Sequence, residues 1–436
     1  MCPSTHPPRR DTPDELAHDI FLMVYTCPDH DEASLISMLL VCKRWMNLLL
    51  SMPRIWHHLI RARRQTSTST FDRRLARSQE IPLCLHFTIH GTHEVEDDIS
   101  MYLTLLQQLA PRWESITITC DDIHPALCLL QFTRNLKMPH LKKLAIHDVD
   151  GLGTLEQPQN LLAQTSTISH LQLASAHLNH FPRPTTLTTI ILIPCLVNMD
   201  LLQMLSTTRV RTLRLLRCSW DDLRVRAPFH FRYLVELQVM FAPMDSMEDL
   251  LPLISAPLLH TLSLHVELWR DTYLLSLTNS LRFRPHMPLV THLSIEIHKH
   301  DCMQTFLSAF FRTYAWAFPT VTHLATNIPP PFLSGLYTRP RDIVRCKDDT
   351  FYRPDEDIDI QDLPLVTFPA LTHLTLLDRY IYFYPEKVRE IAQGRRDIGH
   401  SLVSLSVGVD LLDDAAYARL ETLVEVVEFV HAPSWL

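Results

Sequence analysis

Four histidines occupy the same place in a short sequence phrase that recurs along the chain. His170, His292, His323 and His373 each stand immediately before a leucine, in a chain with 25 histidines, so a metal site has to be considered. Imidazole is a common zinc ligand, and a row of histidines on neighbouring strands could form a metal-binding ladder. Rings stacked about 5 Å apart on parallel strands do not by themselves give tetrahedral geometry. We therefore interpret the row as part of a partner-binding face and expect no metal.

No arrangement of catalytic residues accompanies these histidines. The sequence contains no serine-centred nucleophile elbow, no His-Glu-x-x-His pattern and no paired-carboxylate site. The acidic pairs Asp97-Asp98, Asp121-Asp122 and Asp413-Asp414 are typical of loops and helix starts. The chain has only 7 glycines, and Gly151-Leu152-Gly153 lacks the rest of a phosphate-binding loop. We therefore expect a non-catalytic protein, with no catalytic residues and no cofactor.

Charge and hydropathy limit the partners that the chain can have. The net charge is −8 at pH 7, which disfavours a dedicated nucleic-acid binder. The N-terminus has no apolar core of a signal peptide, and no apolar run is long enough to span a membrane. The 10 cysteines are scattered, without a Cys-x-x-Cys pair, which fits small apolar residues in a reducing compartment. These features predict a soluble protein of the cytoplasm or nucleus that binds neither nucleic acid nor membrane.

Residues 13–60 have the pattern of three short helices. The first follows a capping box that begins at Thr12, and the second and third overlap near residues 41–45. The first helix carries one apolar face, formed by Leu16, Ile20, Met23 and Val24. A segment of fewer than about 50 residues buries little core on its own, so we expect many of its apolar residues to face a partner. The alternative is a helical cap on the following domain.

Three parts of this helical segment resemble the F-box. They are Pro13, Glu15, Leu16 and Ile20, then Val41-Cys42-Lys43-Arg44-Trp45, and finally Ile55-Trp56. The usual F-box has Leu-Pro-x-Glu-Ile, Val-Cys-basic-x-Trp and Leu-Trp at these places. This chain departs from it at Thr12, where leucine is usual, and at Ile55, which replaces the leucine before the last tryptophan.

The resemblance implies a partner as well as a fold. An F-box is a small all-helical module that docks the Skp adaptor of a cullin–RING ubiquitin ligase. Carried over position by position, the residues expected to face or support the adaptor are Pro13, Leu16, Ile20, Val41, Cys42 and Trp45. The threonine at position 12 removes one apolar anchor from that surface.

The segments that flank the helices are predicted to be a tail and a linker. Residues 1–12 form a disordered tail in this interpretation. Residues 61–80 carry six arginines around a Ser/Thr-rich middle, which suits either a strip that binds phosphate or acidic groups or a solvated linker; we favour the linker. We expect the last helix to continue from Trp56 to Arg64 and a strand to follow at Ile81–Ile89, where apolar residues alternate.

The rest of the sequence repeats the phrase apolar-x-x-apolar-x-apolar. Its copies begin at Trp113, Leu141, Ile168, Leu187, Val210, Leu234, Leu259, Val290, Leu371, Leu402 and Val424, with a degenerate copy at Val321. From Leu141 on, successive copies begin 19 to 31 residues apart, except for one step of 50. Leucine-rich repeats have periods of about 20–29 residues. Each copy predicts a short strand, and such strands and the helical segments between them must stack to bury their apolar faces.

We therefore predict an α/β fold in which the small all-helical F-box module precedes a leucine-rich-repeat solenoid with a parallel concave sheet. The solenoid is expected over residues 81–436, with an inserted loop near 329–364, where proline and charge replace the repeat. The phrase also resembles the leucine-rich repeats of fungal F-box proteins, as does Arg112-Trp113-x-x-Ile116 after the linker and first strand. We expect the copies to lack the Asn or Cys that regular cytosolic repeats place after the strand.

The x positions of successive strands form one surface in a solenoid. The residues expected there to bind a partner are Arg214, Glu236, His265, His292, Glu296, His323 and His373. These side chains are polar, mixed in charge and rich in imidazole, which predicts a target protein. Binding is expected to weaken below about pH 6.5 as the histidines become charged, and like charges about 5 Å apart should lower their pKa values further.

Two functions follow from these patterns. The first is a substrate-recognition subunit of a Skp–cullin–F-box ubiquitin ligase, which binds the adaptor through its helices and a target through its repeats. The second is a non-catalytic leucine-rich-repeat scaffold whose N-terminal helices only cap the solenoid. Exposure distinguishes them, because capping helices bury their apolar faces and a docking module leaves an apolar surface open.

Overall fold

The computed structural model describes the chain in segments. They comprise residues 14–25, 32–62, 68–89, 107–120, 133, 136–148, 167–174, 186–220, 228–243, 250–267, 287–298, 317–328, 333, 336, 368–377, 385–408 and 414–430. The tail predicted at 1–12 lies outside the described residues, as do Pro13 and nearly all of the loop predicted near 329–364. The chain divides into two compact units, residues 1–155 with 159–171 and residues 156–158 with 172–436.

Three helices open the first unit, as the sequence predicts. Helix α1 spans Asp14–Tyr25, α2 spans Glu32–Val41 and α3 spans Lys43–Ser51. The chain breaks between α2 and α3 at Cys42, whose Sγ atom caps α3 by accepting a hydrogen bond from the backbone N of Trp45 at 3.4 Å. A 3₁₀ turn at Pro53–Ile55 follows α3.

These helices share a small core of their own. Its buried members are Ala17, Phe21, Leu35, Leu49, Met52, Ile55 and Trp56. The ring of Phe21 meets the ring of Trp45 edge to face, with centroids 4.8 Å apart. The indole Nε1 of Trp56 donates a hydrogen bond to the carbonyl of Leu49 at 2.8 Å, which satisfies the polar atom of this buried side chain.

The chain enters the sheet earlier than the sequence predicts. Strand β1, His58–Ala62, pairs in parallel with β2, Leu83–Ile89, so the expected continuation of the last helix to Arg64 is wrong. Pro53 has already interrupted the helix, and pairing with a strand 25 residues further along is a long-range effect that local patterns do not reveal. The segment predicted as a linker at 61–80 contains helix α4, Thr68–Ser78.

The sheet of the first unit continues in parallel with two strands that carry the repeat phrase. Strand β3 spans Trp113–Cys120 and β4 spans Lys143–Asp148, and the order is β1-β2-β3-β4. Strand β5, His170–Ala174, extends across the boundary between the two units. The Arg112 guanidinium donates to the carbonyl of Ile81 at 2.7 Å and fixes the start of β3 beside β2.

The second unit contains the remaining strands. They are β6 Thr189–Ile193, β7 Leu196–Val197, β8 Thr212–Leu216, β9 Ser219–Trp220, β10 Phe229–His230, β11 Glu236–Pro243, β12 Ile254–Ser255, β13 Thr261–Glu267, β14 His292–His298, β15 His323–Thr326, β16 His373–Leu376, β17 Ser404–Gly408 and β18 Val426–Val430. The order of the parallel sheet is β6-β8-β11-β13-β14-β15-β16-β17-β18. Two short parallel pairs, β7-β9 and β10-β12, lie outside that sheet. Helices α5 Met199–Ser206, α6 Pro385–Asp397 and α7 Asp414–Glu421 lie between strands in sequence.

The copies of the predicted phrase stack in register. Their central leucines pair from strand to strand in the sequence Leu213, Leu237, Leu262, Leu293, Leu324, Leu374 and Leu405, and all seven are buried. The predicted solenoid-like stack of short parallel strands is therefore confirmed.

A tight turn that the sequence analysis missed precedes many of these strands. The first apolar residue of the phrase donates its backbone N–H to the carbonyl three residues earlier, at Met138, Ala256, Phe318 and Phe368. Each of these four residues is buried and is followed by proline, which suits the second position of a turn because its φ is fixed. The repeat signal is therefore longer than the strand phrase and includes an apolar-Pro pair before it.

Two copies do have the cysteine that was expected to be absent after the strand. Cys195 and Cys218 lie three residues beyond the last apolar position of their phrases and are buried. Their Sγ atoms donate to the carbonyls of Leu173 and Leu192, each one strand back, at 3.8 and 3.6 Å. Burial raises the pKa of Cys218 to about 12, so its thiol stays protonated as a donor.

Within the described ranges, no helix has the length and apolar character needed to cross a membrane.

Candidate functional site

Helix α1 presents two apolar faces, and only one of them is used by the core. Ala17 and Phe21 are buried among the other helices. The face predicted from the sequence is exposed instead, with 52 % of Leu16, 44 % of Ile20, 75 % of Met23 and 41 % of Val24 accessible to solvent. Large apolar side chains grouped on one side of a helix are a feature of surfaces that bind another protein.

Helices α2 and α3 add further exposed apolar side chains. They are Ile36, Leu40, Val41 and Met46, and Leu40 is 78 % accessible. We refer to these four residues together with the four on α1 as the exposed apolar set. All eight belong to a segment that already has its own buried core, so the exposure does not reflect a lack of internal packing.

The residues predicted to face or support an adaptor have three different environments. Leu16, Ile20 and Val41 are exposed members of the apolar set. Cys42 is exposed, and its thiol caps α3. Trp45 is half-buried against Phe21, so it supports the helices from within. The structure therefore separates surface side chains from supporting ones, a distinction that the sequence did not make.

Three of the predicted histidines form a continuous stack at the starts of adjacent strands. The rings of His292 and His323 are 4.2 Å apart, and those of His323 and His373 are 4.0 Å apart, at interplanar angles of 12° and 11°. The parallel ladder places these residues directly opposite one another. His170 is exposed and belongs to β5, a strand that is not adjacent to β14.

A hydroxyl group holds each ring of the stack in place. The Nδ1 atoms of the three histidines lie 3.0, 2.9 and 2.8 Å from the Oγ1 atoms of Thr291, Thr322 and Thr372. Each threonine hydroxyl also donates to a backbone carbonyl one repeat earlier, at 3.2 to 3.4 Å. Because a hydroxyl has one hydrogen, the Nδ1 atom then carries the ring hydrogen and Nε2 carries the lone pair. The Thr-His pair is thus a repeated structural unit.

Charging is disfavoured for two rings of the stack, those of His292 and His323. Burial lowers the pKa of His292, and the neighbouring His260 and His373 lower it further. Burial likewise lowers the pKa of His323, followed by the effect of His292 and His373. Neighbouring histidines lower these pKa values, as expected from the sequence, but burial is the larger cause.

Two residues predicted to bind a partner are not accessible. The side chains of His265 and Glu296 are 1 % and 3 % exposed, and His265 Nε2 lies 3.1 Å from Glu296 Oε1. Their placement on the partner-binding surface is therefore wrong. Strand alternation correctly puts them on the same face as His292 but does not reveal that this face is covered towards the carboxyl ends of β13 and β14.

Arg214 and Glu236 are partly exposed and paired with each other. The Arg214 Nη2 and Nε atoms donate to Glu236 Oε1 at 2.9 and 3.1 Å, from β8 to β11. A partner that contacts this face meets the pair as one neutral unit. Together with the stacked histidines, the pair makes up the accessible part of the predicted surface. Glu236 and the three histidines are the first residues of their strands, and Arg214 lies in the middle of β8.

Potential metal ligands meet elsewhere, at the start of the first sheet. His57, His58 and Cys84 have donor atoms that all lie within 4.8 Å of one another. No metal is expected from the sequence, in which the two histidines are adjacent and the cysteine is 26 residues from His58. No signal in the sequence alone brings them together.

No protein-family model and no curated protein matches the chain.

Proposed function

We propose that this chain is a substrate-recognition subunit of a Skp–cullin–F-box ubiquitin ligase. In this proposal α1–α3 form an F-box that docks a Skp-type adaptor, and the leucine-rich repeats hold a target protein. The chain carries out no bond chemistry itself. It increases the local concentration of the target beside the ligase, inside the cytoplasm or nucleus.

The exposed apolar set is the observation that carries the proposal. Leu16, Ile20 and Val41, three of the six residues that the F-box resemblance assigns to the adaptor surface, are exposed on helices that have a separate core. Burying one large apolar side chain in an interface stabilises a complex by about 1.5–3 kcal/mol. A scaffold with purely capping helices would bury this face in its own fold, so that alternative receives less support.

Co-purification of the full chain with a co-expressed Skp-type adaptor tests this proposal. Wild-type chain is expected to retain the adaptor, and Leu16→Glu with Ile20→Glu should weaken binding at least about 100-fold, because two buried apolar contacts of about 1.5–3 kcal/mol each are lost. The matched control is Leu258→Glu with Leu289→Glu. These two leucines are each 42 % accessible and lie in the second unit, so this variant should bind like wild type.

Failure of the wild-type chain to retain the adaptor, or equal retention by the Leu16/Ile20 variant, would contradict the proposal. Truncating Trp45 or Cys42 is a less informative test. Trp45 packs against Phe21 and Cys42 caps α3, so loss of binding in those variants would also follow from unfolded helices.

We place the target on the accessible part of the sheet face, at His292, His323, His373, Arg214 and Glu236. The stacked imidazoles offer ring edges and lone pairs, and the Arg–Glu pair adds both signs of charge. Burial and neighbouring rings lower the pKa of His292 and His323. Target binding should therefore be retained just below pH 6.5 and weaken only at still lower pH, where these rings become charged.

A triple variant tests this placement. In a cross-linking experiment on the full chain, we compare the wild type with a variant that carries His292→Ala, His323→Ala and His373→Ala. The variant should lose the cross-link to a specific protein, and its binding of the adaptor should stay unchanged. An unchanged set of cross-linked proteins would show that this face is not the target site.

A further inference from the structure

Two histidines and a cysteine meet where the chain passes from the helices into the first sheet. His57 precedes β1, His58 is the first residue of that strand, and Cys84 lies opposite His58 in β2. The backbone N of Cys84 donates to the carbonyl of His57 at 3.0 Å, which locks the two segments together. The imidazole rings are 4.1 Å apart, and the three potential ligand atoms all lie within 4.8 Å of one another.

The surroundings orient His57 as metal-binding histidines are oriented. Its Nδ1 atom contacts the carbonyl oxygen of Arg54, which can only accept a hydrogen. The Nδ1 atom therefore carries the ring hydrogen, and Nε2 carries the lone pair. A backbone carbonyl bound to the second nitrogen is the usual outer partner of a metal-ligating histidine. Burial also lowers the pKa of His57, which keeps the ring in its neutral, ligating form near pH 7.

The charges around the cysteine are mixed. Burial raises the pKa of Cys84, a hydrogen bond from Ser115 lowers it, and the Glu114 carboxylate raises it. Lys143 and Lys142 lower it, and Lys142 is paired with Glu114 at 2.7 Å. Burial dominates, so the thiol is protonated in the absence of a cation. A bound metal ion would ionise it, as it does for coordinating thiols in general.

We propose that His57, His58 and Cys84 form a binding site for a divalent metal ion, with zinc as the best match. Thiolate sulfur and imidazole nitrogen are both zinc ligands in proteins, and zinc sites with three protein ligands leave a fourth position open to water. Tetrahedral bonds of about 2.0–2.3 Å place ligand atoms about 3.4–3.6 Å apart. The three ligand atoms lie within 4.8 Å of one another. Side-chain movements of about an ångström would therefore bring them to the distances that a tetrahedral zinc ion requires.

Such a site would cross-link the end of the helical segment to the first two strands. His57 directly follows Trp56 of the helical core, and Cys84 lies in β2. Metal bound only by the folded chain raises its stability. This inference is independent of the proposed function, because it involves no residue of the exposed apolar set and neither an adaptor nor a target.

The test is zinc titration of the full chain, purified without a polyhistidine tag, in competition with a chromophoric chelator. We expect one zinc ion per chain. Cys84→Ser should lose more than the roughly 10- to 100-fold in affinity that removal of an outer partner costs. The matched control His170→Gln removes an exposed strand histidine outside the cluster and should bind like wild type. Cobalt in place of zinc should give a thiolate-to-cobalt charge-transfer band that Cys84→Ser abolishes.

A second readout needs no substitution, so it holds even if a variant fails to fold. Zinc should protect Cys84 of the wild-type chain from alkylation and leave the exposed Cys42 reactive, as judged by mass spectrometry. The proposal is overturned if the wild-type chain binds no zinc, if Cys84→Ser and His170→Gln lose affinity equally, or if zinc leaves the alkylation of Cys84 unchanged.

Discussion

Arg395 is a single residue that connects helix α6 to the segment before strand β16 in the second unit. Its side chain is fully buried in α6. The guanidinium donates to the carbonyls of Leu336, Phe368, Leu371 and His400, at 3.0 to 3.2 Å. Burial lowers the pKa of Arg395 to about 10, so the group remains a cation at neutral pH. It therefore ties α6 to the turn that precedes β16.

Replacing Arg395 should destabilise the second unit strongly. In Arg395→Met several buried carbonyls lose their donor, at about 1–3 kcal/mol each, so we expect a loss of at least about 3 kcal/mol in the free energy of unfolding. Arg396→Met is the matched control on the same helix, since Arg396 is exposed and donates only to Thr422 at 3.2 Å among its described bonds. Urea unfolding followed by circular dichroism measures both. Equal losses would show that the burial of Arg395 does not matter.

At the scale of one element, α1 separates stability from binding. Phe21 on its buried face is 1 % exposed, and Leu16 on the other face is 52 % exposed. Phe21→Ala should cost about 3–5 kcal/mol, because it leaves a cavity beside Trp45. Leu16→Ala should change stability by less than about 0.5 kcal/mol, as exposed substitutions generally do.

Thermal unfolding of the two variants in the full chain distinguishes these faces. A clearly lower transition temperature is expected for the Phe21 variant alone. If Leu16→Ala destabilised the chain as much, the outer face of α1 would be part of the internal packing and unavailable to a partner.

The repeat strands could be predicted from the sequence because their signal is local. Apolar residues at three fixed positions of each phrase fix which face is buried, and Leu237, Leu262 and Leu293 pair as that pattern requires. The turn before the strand also has a local signal, the apolar-Pro pair, and Cys195 and Cys218 each stand three residues after the last apolar position of a phrase.

Other features could not be predicted because they depend on contacts between distant segments. Strand β1 forms only because β2 offers it a partner. The burial of His265 and Glu296 depends on which residues cover that face of the sheet. The alternation of side chains along a strand does not reveal this. The His57–His58–Cys84 cluster arises from the same pairing that creates β1, so a search for ligand spacing along the sequence could not find it.

At the scale of the whole molecule, histidines whose pKa is lowered by partial burial couple folding to pH. Burial is the main cause that lowers the pKa of His57, His86, His147, His292 and His323 below the ordinary value of 6.5. Neighbouring charges act on them as well, including Lys143 near His86 and His147. As the pH falls below 6.5, the unfolded chain takes up protons that the folded chain does not, so stability decreases until the folded pKa values are passed.

The transition temperature should therefore be lower at pH 5.5 than at pH 7.5, in a range where Asp and Glu side chains remain mostly ionised. His292→Gln with His323→Gln should reduce the size of that decrease, because two of the responsible groups no longer titrate. Differential scanning calorimetry across this range measures it. A transition temperature that is constant or rises towards pH 5.5 would contradict the linkage.

Hydrogen exchange on the full chain tests most directly whether the exposed apolar set of α1–α3 docks a Skp-type adaptor, as we propose. With purified adaptor present, amide exchange should slow in α1 and in residues 32–51, because docking suppresses local opening of these helices. Exchange in β11, β13, β14 and β15 should stay unchanged. Unaltered exchange in α1, or protection confined to the strands, would contradict the account.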